Sequence, residues 1–371
     1  MEQIVYSNVE CYSTLLKIIT ENKIESLMLV CDGAFEFLKI KNDIERLKTV
    51  CKIYSFSDFT PNPTYESVCK GVNLFNNTGC KALLAIGGGS TIDVAKCIKL
   101  FSSMDSKVNY LEQKIVENSI PLIAIPTTAG TGSEATRYSV IYYDGEKQSV
   151  TDDSSIPGYV FLLPELLSTL PLKQKKATML DAFCHAVESF WSVNSNEESK
   201  CFSADALKLI MKYSDEYLNN SEEGNKNMLI AANLAGKAIN ITQTTAGHAM
   251  CYKITSIFGI PHGLAAAYCL PKLWRFMLDN MDRVCDSRGK HYLEDVFDNI
   301  AKCMNVDSPI KAVEKIENLL SDMKLVLDIS LDDNQLETLV KSVNTTRLKN
   351  NPVALNEEDI RSIYIEVFRR N

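Results

Sequence analysis

In the first half of the chain, short and mostly apolar runs alternate with stretches of helical period. The runs are Leu27-Met-Leu-Val-Cys31, Cys51-Lys-Ile-Tyr-Ser55, Ala82-Leu-Leu-Ala-Ile86 and Leu122-Ile-Ala-Ile125. Near-continuous apolar segments of this length predict strands buried on both faces. Strands separated by helices predict a parallel sheet with helices on either side. Pro61 and Pro63 break the chain before a helix predicted over about 64–77. Residues 138–150 read as a hairpin turning at Asp144-Gly145.

After about residue 165 the pattern changes: glycine thins out and segments of helical period follow one another. They cover about 174–192, 198–217, 226–243, 248–257, 266–279, 292–304, 309–323, 333–343 and 356–369. This predicts an all-helical second domain, joined near Leu163-Pro164-Glu165 to Pro171. The expected division is therefore an α/β domain over 1–168 and a helical domain over 169–371. Asn219-Asn-Ser-Glu-Glu-Gly-Asn225 reads as a solvated loop.

Composition excludes some functions and otherwise changes little. A net charge of -8 gives no electrostatic reason to bind nucleic acid or an anionic membrane. No apolar run reaches the ~18 residues that span a bilayer. The start, Met1-Glu-Gln-Ile-Val-Tyr-Ser7, has neither a basic region nor an apolar stretch, so a cytoplasmic location is expected. The twelve cysteines include no Cys-x-x-Cys and read as reduced, packed thiols.

Two loops carry the first candidate chemistry. Gly87-Gly88-Gly89-Ser90 follows a predicted strand and opens a helix, with Ser90 as the expected N-cap. Glycines let a ligand approach the backbone, and free amides at a helix start favour phosphate. The spacing is not Gly-x-Gly-x-x-Gly, so the standard dinucleotide fingerprint is absent. Pro126-Thr127-Thr128-Ala129-Gly130-Thr131-Gly132-Ser133-Glu134 also follows a strand, and its hydroxyls and amides suit a ribose or pyrophosphate. In a parallel sheet both loops lie at the carboxyl edge, where ligands bind in open α/β folds. Asp32 ends the first run. An acid there accepts hydrogen bonds from an adenosine ribose and repels a 2′-phosphate, which favours NAD over NADP.

The second candidate is a metal site. Asp181 and His185 lie four apart in Thr178-Met-Leu-Asp181-Ala-Phe-Cys-His185-Ala-Val-Glu188, a stretch without proline or glycine, so both face one side of a helix. His248 and His262 are separated by Gly259 and Pro261, which should end one helix and start another. One carboxylate and three imidazoles suit Fe(II) or Zn(II). The remaining histidine, His291, has no such pattern and is expected at the surface.

As a set, and in this order, these stretches resemble the iron-containing alcohol dehydrogenase family: Gly87 to Lys96, Pro126 to Glu134, Asp181 to Glu188, His248, and Pro261-His262-Gly263. The resemblance runs over nearly the whole chain. It implies a Rossmann-like N-terminal domain and a helical C-terminal domain, the fold shared with dehydroquinate synthase. It also implies a homodimer, NAD(P), and a divalent metal at Asp181, His185, His248 and His262. Cofactor contacts are then expected from Asp32, Gly87, Gly88, Gly89, Ser90, Asp93, Thr127, Thr128, Thr131 and Ser133. The implied reaction passes hydride between nicotinamide C4 and the carbonyl carbon of a small aldehyde beside a Lewis-acidic cation.

Two positions depart from the family pattern. Tyr252 stands four residues after His248, where many members have a second histidine proposed as a proton relay, and a phenol titrating near ~10 is a poorer relay. Leu163-Pro164 replaces the usual Asp-Pro. The run from Thr244 to Thr255 resembles the branch that reduces phosphonoacetaldehyde. By the family resemblance the segment Ala135-Thr136-Arg137-Tyr138 leads toward the substrate, where Arg137 would hold an anionic group on the aldehyde and Tyr252 would hydrogen-bond it; the alternative is that Arg137 pairs with an acidic neighbour and the aldehyde is neutral. A dehydroquinate synthase-like lyase is the competing enzyme, disfavoured by the Asp/His/His/His pattern. A metal-free binding protein would be expected to have lost ligands.

Overall fold

The computed structural model describes residues 3–7, 9–325, 327, 329–343 and 345–369, with the side chains of residues 345 and 346 left out. The chain divides into two compact units. One comprises Met1–Pro171 with Asn219–Asn233, the other Leu172–Leu218 with Leu234–Asn371.

In the first unit the strands are β1 (Ile4–Ser7), β2 (Ser26–Cys31), β3 (Lys52–Phe56), β4 (Ala82–Gly87), β5 (Leu122–Pro126), β6 (Tyr138–Tyr143), β7 (Glu146–Thr151) and β8 (Tyr159–Leu162). Six of them form one parallel sheet in the order β1-β8-β5-β4-β2-β3. Every residue of the central strands β2, β4 and β5 is buried. That explains their unbroken apolar runs: a strand covered on both faces has no reason to alternate. The edge strands β1 and β3 are partly exposed and more mixed in sequence. β1 and β8, four residues each, are absent from the sequence-based expectation. The hairpin is present as antiparallel β6 and β7. Helices α1 (Cys11–Glu21), α2 (Lys41–Leu47), α3 (Tyr65–Thr78) and α4 (Gly89–Phe101) connect the strands.

The second unit is helical. It holds α5 (Leu172–Trp191), α6 (Glu197–Leu218), the latter part of α7 (Glu222–Thr242), α8 (Ala246–Phe258), α9 (His262–Asp279), α10 (Lys290–Cys303), α11 (Pro309–Asp322), α12 (Asp333–Lys341), α13 (Thr345–Leu348) and α14 (Glu357–Phe368). Two expectations are corrected. The solvated loop expected over 219–225 ends at Ser221, because Glu222 already opens α7 and places acidic residues in its first turn. The helix expected from 266 begins at His262. In addition, residues 219–233 cluster with the first unit, although they lie well beyond 168 in sequence. No helix among the described residues is long and apolar enough to cross a membrane.

Candidate cofactor loops and metal centre

The adjacent strands β2, β4 and β5 bring three candidate segments side by side at the carboxyl edge of the sheet. After β4, Gly88 is the N-cap of α4 in an extended conformation and Gly89 is the first helical residue. Ser90 therefore lies inside the first turn, which corrects its expected role as N-cap; no side chain caps this helix. Its first-turn amides have no intrahelical partner, a geometry suited to an anion.

The two loops are packed onto one another. The Thr127 amide donates to Gly87 O at 3.0 Å. A Cβ on Gly88 would sit 3.4 Å from the Thr128 side chain, and one on Gly89 would come within 2.8 Å of Thr131. Ser133 Oγ donates to Asp93 Oδ1 at 2.5 Å, while Asp93 Oδ2 accepts from the Val140 amide at 2.9 Å. Gly89 is thus required by a threonine of the neighbouring loop, whatever ligand it meets. Asp93 has both oxygens engaged with protein and acts as the clasp between loops. Lys96, fully buried, donates to Thr136 O at 2.6 Å and Tyr138 O at 2.9 Å, tying α4 to the end of the second loop. Burial pulls its ammonium down to about 8, against the opposing pull of Asp93.

Asp32 caps the short helix that follows β2 by accepting from the Ala34 amide at 2.9 Å. Its other oxygen receives the Thr91 hydroxyl of α4 at 3.3 Å. It borders a recess of about 490 Å³ lined also by Glu36, Lys41, Glu45 and Lys48. Arg137 pairs with Asp153, a largely exposed acidic neighbour, at 3.1 Å.

In the second unit, α5 carries Asp181 and His185, α8 carries His248 and Tyr252, and α9 starts at His262. Gly259 C-caps α8 in the left-handed region, with φ 64°. The tight spot is Gly263. A Cβ there would lie 2.2 Å from Ala177 O and 2.8 Å from Asp181 N, so α9 rests on the backbone of α5 immediately beside His262. The side chain of Tyr364 in α14 donates to Met250 O at 2.8 Å and pins α8 between its two site residues.

This packing brings together Asp181, His248 and His262, whose ligating atoms lie within 4.8 Å of one another. His185 Nε2 is 3.9 Å from Asp181 Oδ1, and its ring stacks on His248 with centroids 4.4 Å apart. Asp181 Oδ1 and His248 Nε2 are 3.5 Å apart, buried, and without hydrogen-bond partners. Unpartnered buried polar atoms are costly, and two ligand atoms pointed at one spot fit a shared cation. Burial pushes the Asp181 carboxyl up, but His185 first, then His248 and His262, hold it well below the usual carboxylate range. Burial pulls the His248 imidazole down, and Glu188 with Asp181 outweighs this and carries it up. In such a site a cation takes the place of that proton.

Tyr252 is half-buried. Its ring lies flat against His262, with centroids 5.3 Å apart and planes 13° apart. Burial pushes its phenol upward, so it stays protonated at neutral pH and can only donate or accept hydrogen bonds. His291 is almost fully exposed and meets Glu294 at 2.9 Å. One residue escaped the sequence reading. Glu188, fully buried, faces His248 Nδ1 at 2.5 Å. Its signal was its place on the Asp181 face of α5, seven residues on, which is about two helical turns.

Comparison with known proteins agrees over both units. Residues 3–164 match the family described as iron-containing alcohol dehydrogenase, and residues 175–368 match the Fe-containing alcohol dehydrogenase family, C-terminal. Alcohol dehydrogenase 4 of Schizosaccharomyces pombe is 26% identical over 366 residues, covering 95% of this chain and 85% of its own. A phosphonoacetaldehyde reductase of Streptomyces viridochromogenes is 28% identical, covering 75% of this chain and 73% of its own. A solved structure of an iron-containing alcohol dehydrogenase superposes with a TM-score of 0.84 at 27% identity, covering 99% of this chain and 98% of that one.

Proposed function

The chain belongs to the iron-containing alcohol dehydrogenase family, an NAD(P)- and metal-dependent oxidoreductase of alcohols and aldehydes, and from that premise we propose how its own residues serve the reaction. Asp181, His185, His248 and His262 hold the divalent cation. The observation that carries this is the buried pair of unpartnered atoms, Asp181 Oδ1 and His248 Nε2, facing each other at 3.5 Å with His262 alongside. The cation supplies Lewis acidity toward the carbonyl oxygen of an aldehyde. Tyr252 keeps the His262 ring in its plane and leaves proton exchange to solvent, since its raised phenol does not ionise at neutral pH.

The amides at the start of α4 and the hydroxyls of Thr127, Thr128 and Thr131 take the cofactor's pyrophosphate and ribose. Asp93 and Ser133 hold the loops in register, and Asp32 favours NAD(H). The substrate is a small aldehyde. A phosphonate-bearing one is the finer reading, supported by the similarity to a phosphonoacetaldehyde reductase; Arg137, which also pairs with Asp153, and Tyr252 are the side chains that would hold its anionic group. A cytoplasmic homodimer is the setting we propose; all twelve cysteines are free thiols, as a reducing compartment allows.

The test is NADH oxidation with propanal, glycolaldehyde and phosphonoacetaldehyde, with and without a chelator, alongside elemental analysis. Turnover lost with the metal and restored on adding it back is the expected result. Turnover of a sugar-derived phosphate without net NADH consumption would put the lyase reading in its place.

A further inference from the structure

We infer that Glu188 is the positioning carboxylate of the metal centre: it holds His248 as the Nδ1–H tautomer, turns Nε2 toward Asp181 and His262, and so sets how tightly a divalent cation is bound. This rests on the metal reading above.

The Trp191 indole can only donate, and it donates to Thr245 Oγ1 at 3.0 Å. The Thr245 hydroxyl hydrogen is therefore free to go to Glu188 Oε2, 2.7 Å away, where the Thr245 amide also donates at 2.7 Å. The His248 amide adds a longer contact to the same oxygen at 3.4 Å. Oε2 is thus saturated by donors, and Oε1 is left for His248 Nδ1 at 2.5 Å. With every hydrogen on this side accounted for, Nδ1 carries its proton toward Glu188, which leaves Nε2 as the nitrogen facing the cation site.

A Glu–His pair that served packing alone would have no reason to leave the far nitrogen unpartnered. Here His248 Nε2 is buried without a partner, beside the equally unpartnered Asp181 Oδ1. Ligating imidazoles are oriented by a carboxylate on the opposite nitrogen in this way, and the carboxylate also raises their basicity. The backbone makes room for it. A Cβ on Gly247 would lie 2.6 Å from Glu188 Oε1, so any larger residue at the start of α8 would push the carboxylate off the imidazole. Charge also balances: Asp181 and Glu188 together neutralise one divalent cation in a site that is closed to water on this side.

The experiment uses the zinc-loaded full chain with labelled histidine, and four histidines make the ring spectrum sparse. The parent should show one strongly deshielded Nδ1–H belonging to His248. Glu188→Gln keeps the shape, but its amide group must meet either the two Thr245 donors or the His248 N–H. The deshielded proton should be lost or moved, and zinc affinity measured against a competing chelator should fall about 10- to 100-fold, with the His291 signals unmoved. Glu188→Asp, which keeps the charge one methylene short, should recover part of the loss. If Glu188→Gln does not fold, Gly247→Ala should reproduce the weaker zinc binding by displacing the carboxylate. Unchanged affinity and an unchanged His248 proton in the folded variant overturn the inference while leaving the metal site standing. A parent that binds no zinc, or binds it fully in His262→Ala, instead removes the metal reading itself.

Discussion

In the first unit, Asp93 gives one carboxylate oxygen to Ser133 and the other to Val140, Lys96 reaches two backbone carbonyls, and Asp32 is shared between Ala34 and Thr91. In the second unit, Asp181 Oδ1 and His248 Nε2 face each other with no hydrogen-bond partner, each 6% exposed or less as a side chain. The charged side chains of the candidate cofactor loops are consumed in holding the loops together, and what they leave for a ligand is amides and hydroxyls. In the helical unit Asp181 Oδ1 and His248 Nε2 are left without hydrogen-bond partners and face each other, while Glu188 is spent on holding His248 from its other nitrogen. A diffuse, elongated anion is suited by the first arrangement, and a compact cation by the second.

The contrast breaks most sharply at the proposed metal ligands. His248→Ala and Asp181→Ala should each abolish metal binding and turnover, since either leaves a buried ligand facing nothing and takes away the Lewis acid. Cofactor binding, read by quenching of bound NADH, should persist because its loops lie in the other unit. Loss of NADH binding together with loss of metal would contradict the division of labour.

Next in size is Gly263→Ala. The added Cβ meets backbone at 2.2 Å, which no side-chain rotation relieves. Overpacking should cost about 1–3 kcal/mol of stability and move His262 away from Asp181. Thermal unfolding of the metal-free protein reports the first effect, and metal content reports the second. A stable variant with full metal content would mean that α9 can shift without disturbing the site.

Gly89→Ala is the matching probe of the other unit. Its Cβ would press on Thr131 at 2.8 Å, and a side chain can yield where a backbone cannot. A smaller stability loss than in Gly263→Ala is expected, with KM for NADH raised several-fold and metal content unchanged. Asp93→Asn should act in the same direction by weakening the contact to Ser133, at about 1–3 kcal/mol for a buried polar group left ill-matched. A change in metal content in either variant would contradict the comparison.

What could be read in the sequence follows the same divide. Strands β2, β4 and β5 were legible because burial on both faces demands apolar residues without alternation. β8 was not, since Tyr159-Val-Phe-Leu162 is four residues long and runs into the Leu163-Pro164 junction, and β1 was not, because its edge position relaxes the pattern. Asp181 and His185 were legible from a local spacing. Glu188 was not assigned a role, because its partner His248 lies 60 residues away on another helix and only tertiary packing joins them. Ser90 misled for a physical reason: glycine also suits an N-cap, and here Gly88 takes the position before any hydroxyl can.

The smallest expected effect concerns Asp32, the acid at the rim of the cofactor side. Its two oxygens already cap a helix and accept from Thr91, so its structural duties are those an asparagine can largely fulfil. What asparagine lacks is the negative charge. If that charge discriminates against a 2′-phosphate, Asp32→Asn should leave kcat/KM for NADH within about two-fold. It should raise kcat/KM for NADPH by roughly ten-fold, equivalent to about 1.4 kcal/mol. The side chain is only partly buried, so salt should mute the effect: the NADH preference of the parent should narrow as ionic strength rises past the point where the Debye length falls below ~10 Å. A parent that already prefers NADPH, or an Asp32→Asn variant with the parent's ratio at low salt, would make Asp32 a helix cap and nothing more. In that case the contrast between the units would hold without exception on the cofactor side, where no acidic side chain would then address the ligand directly.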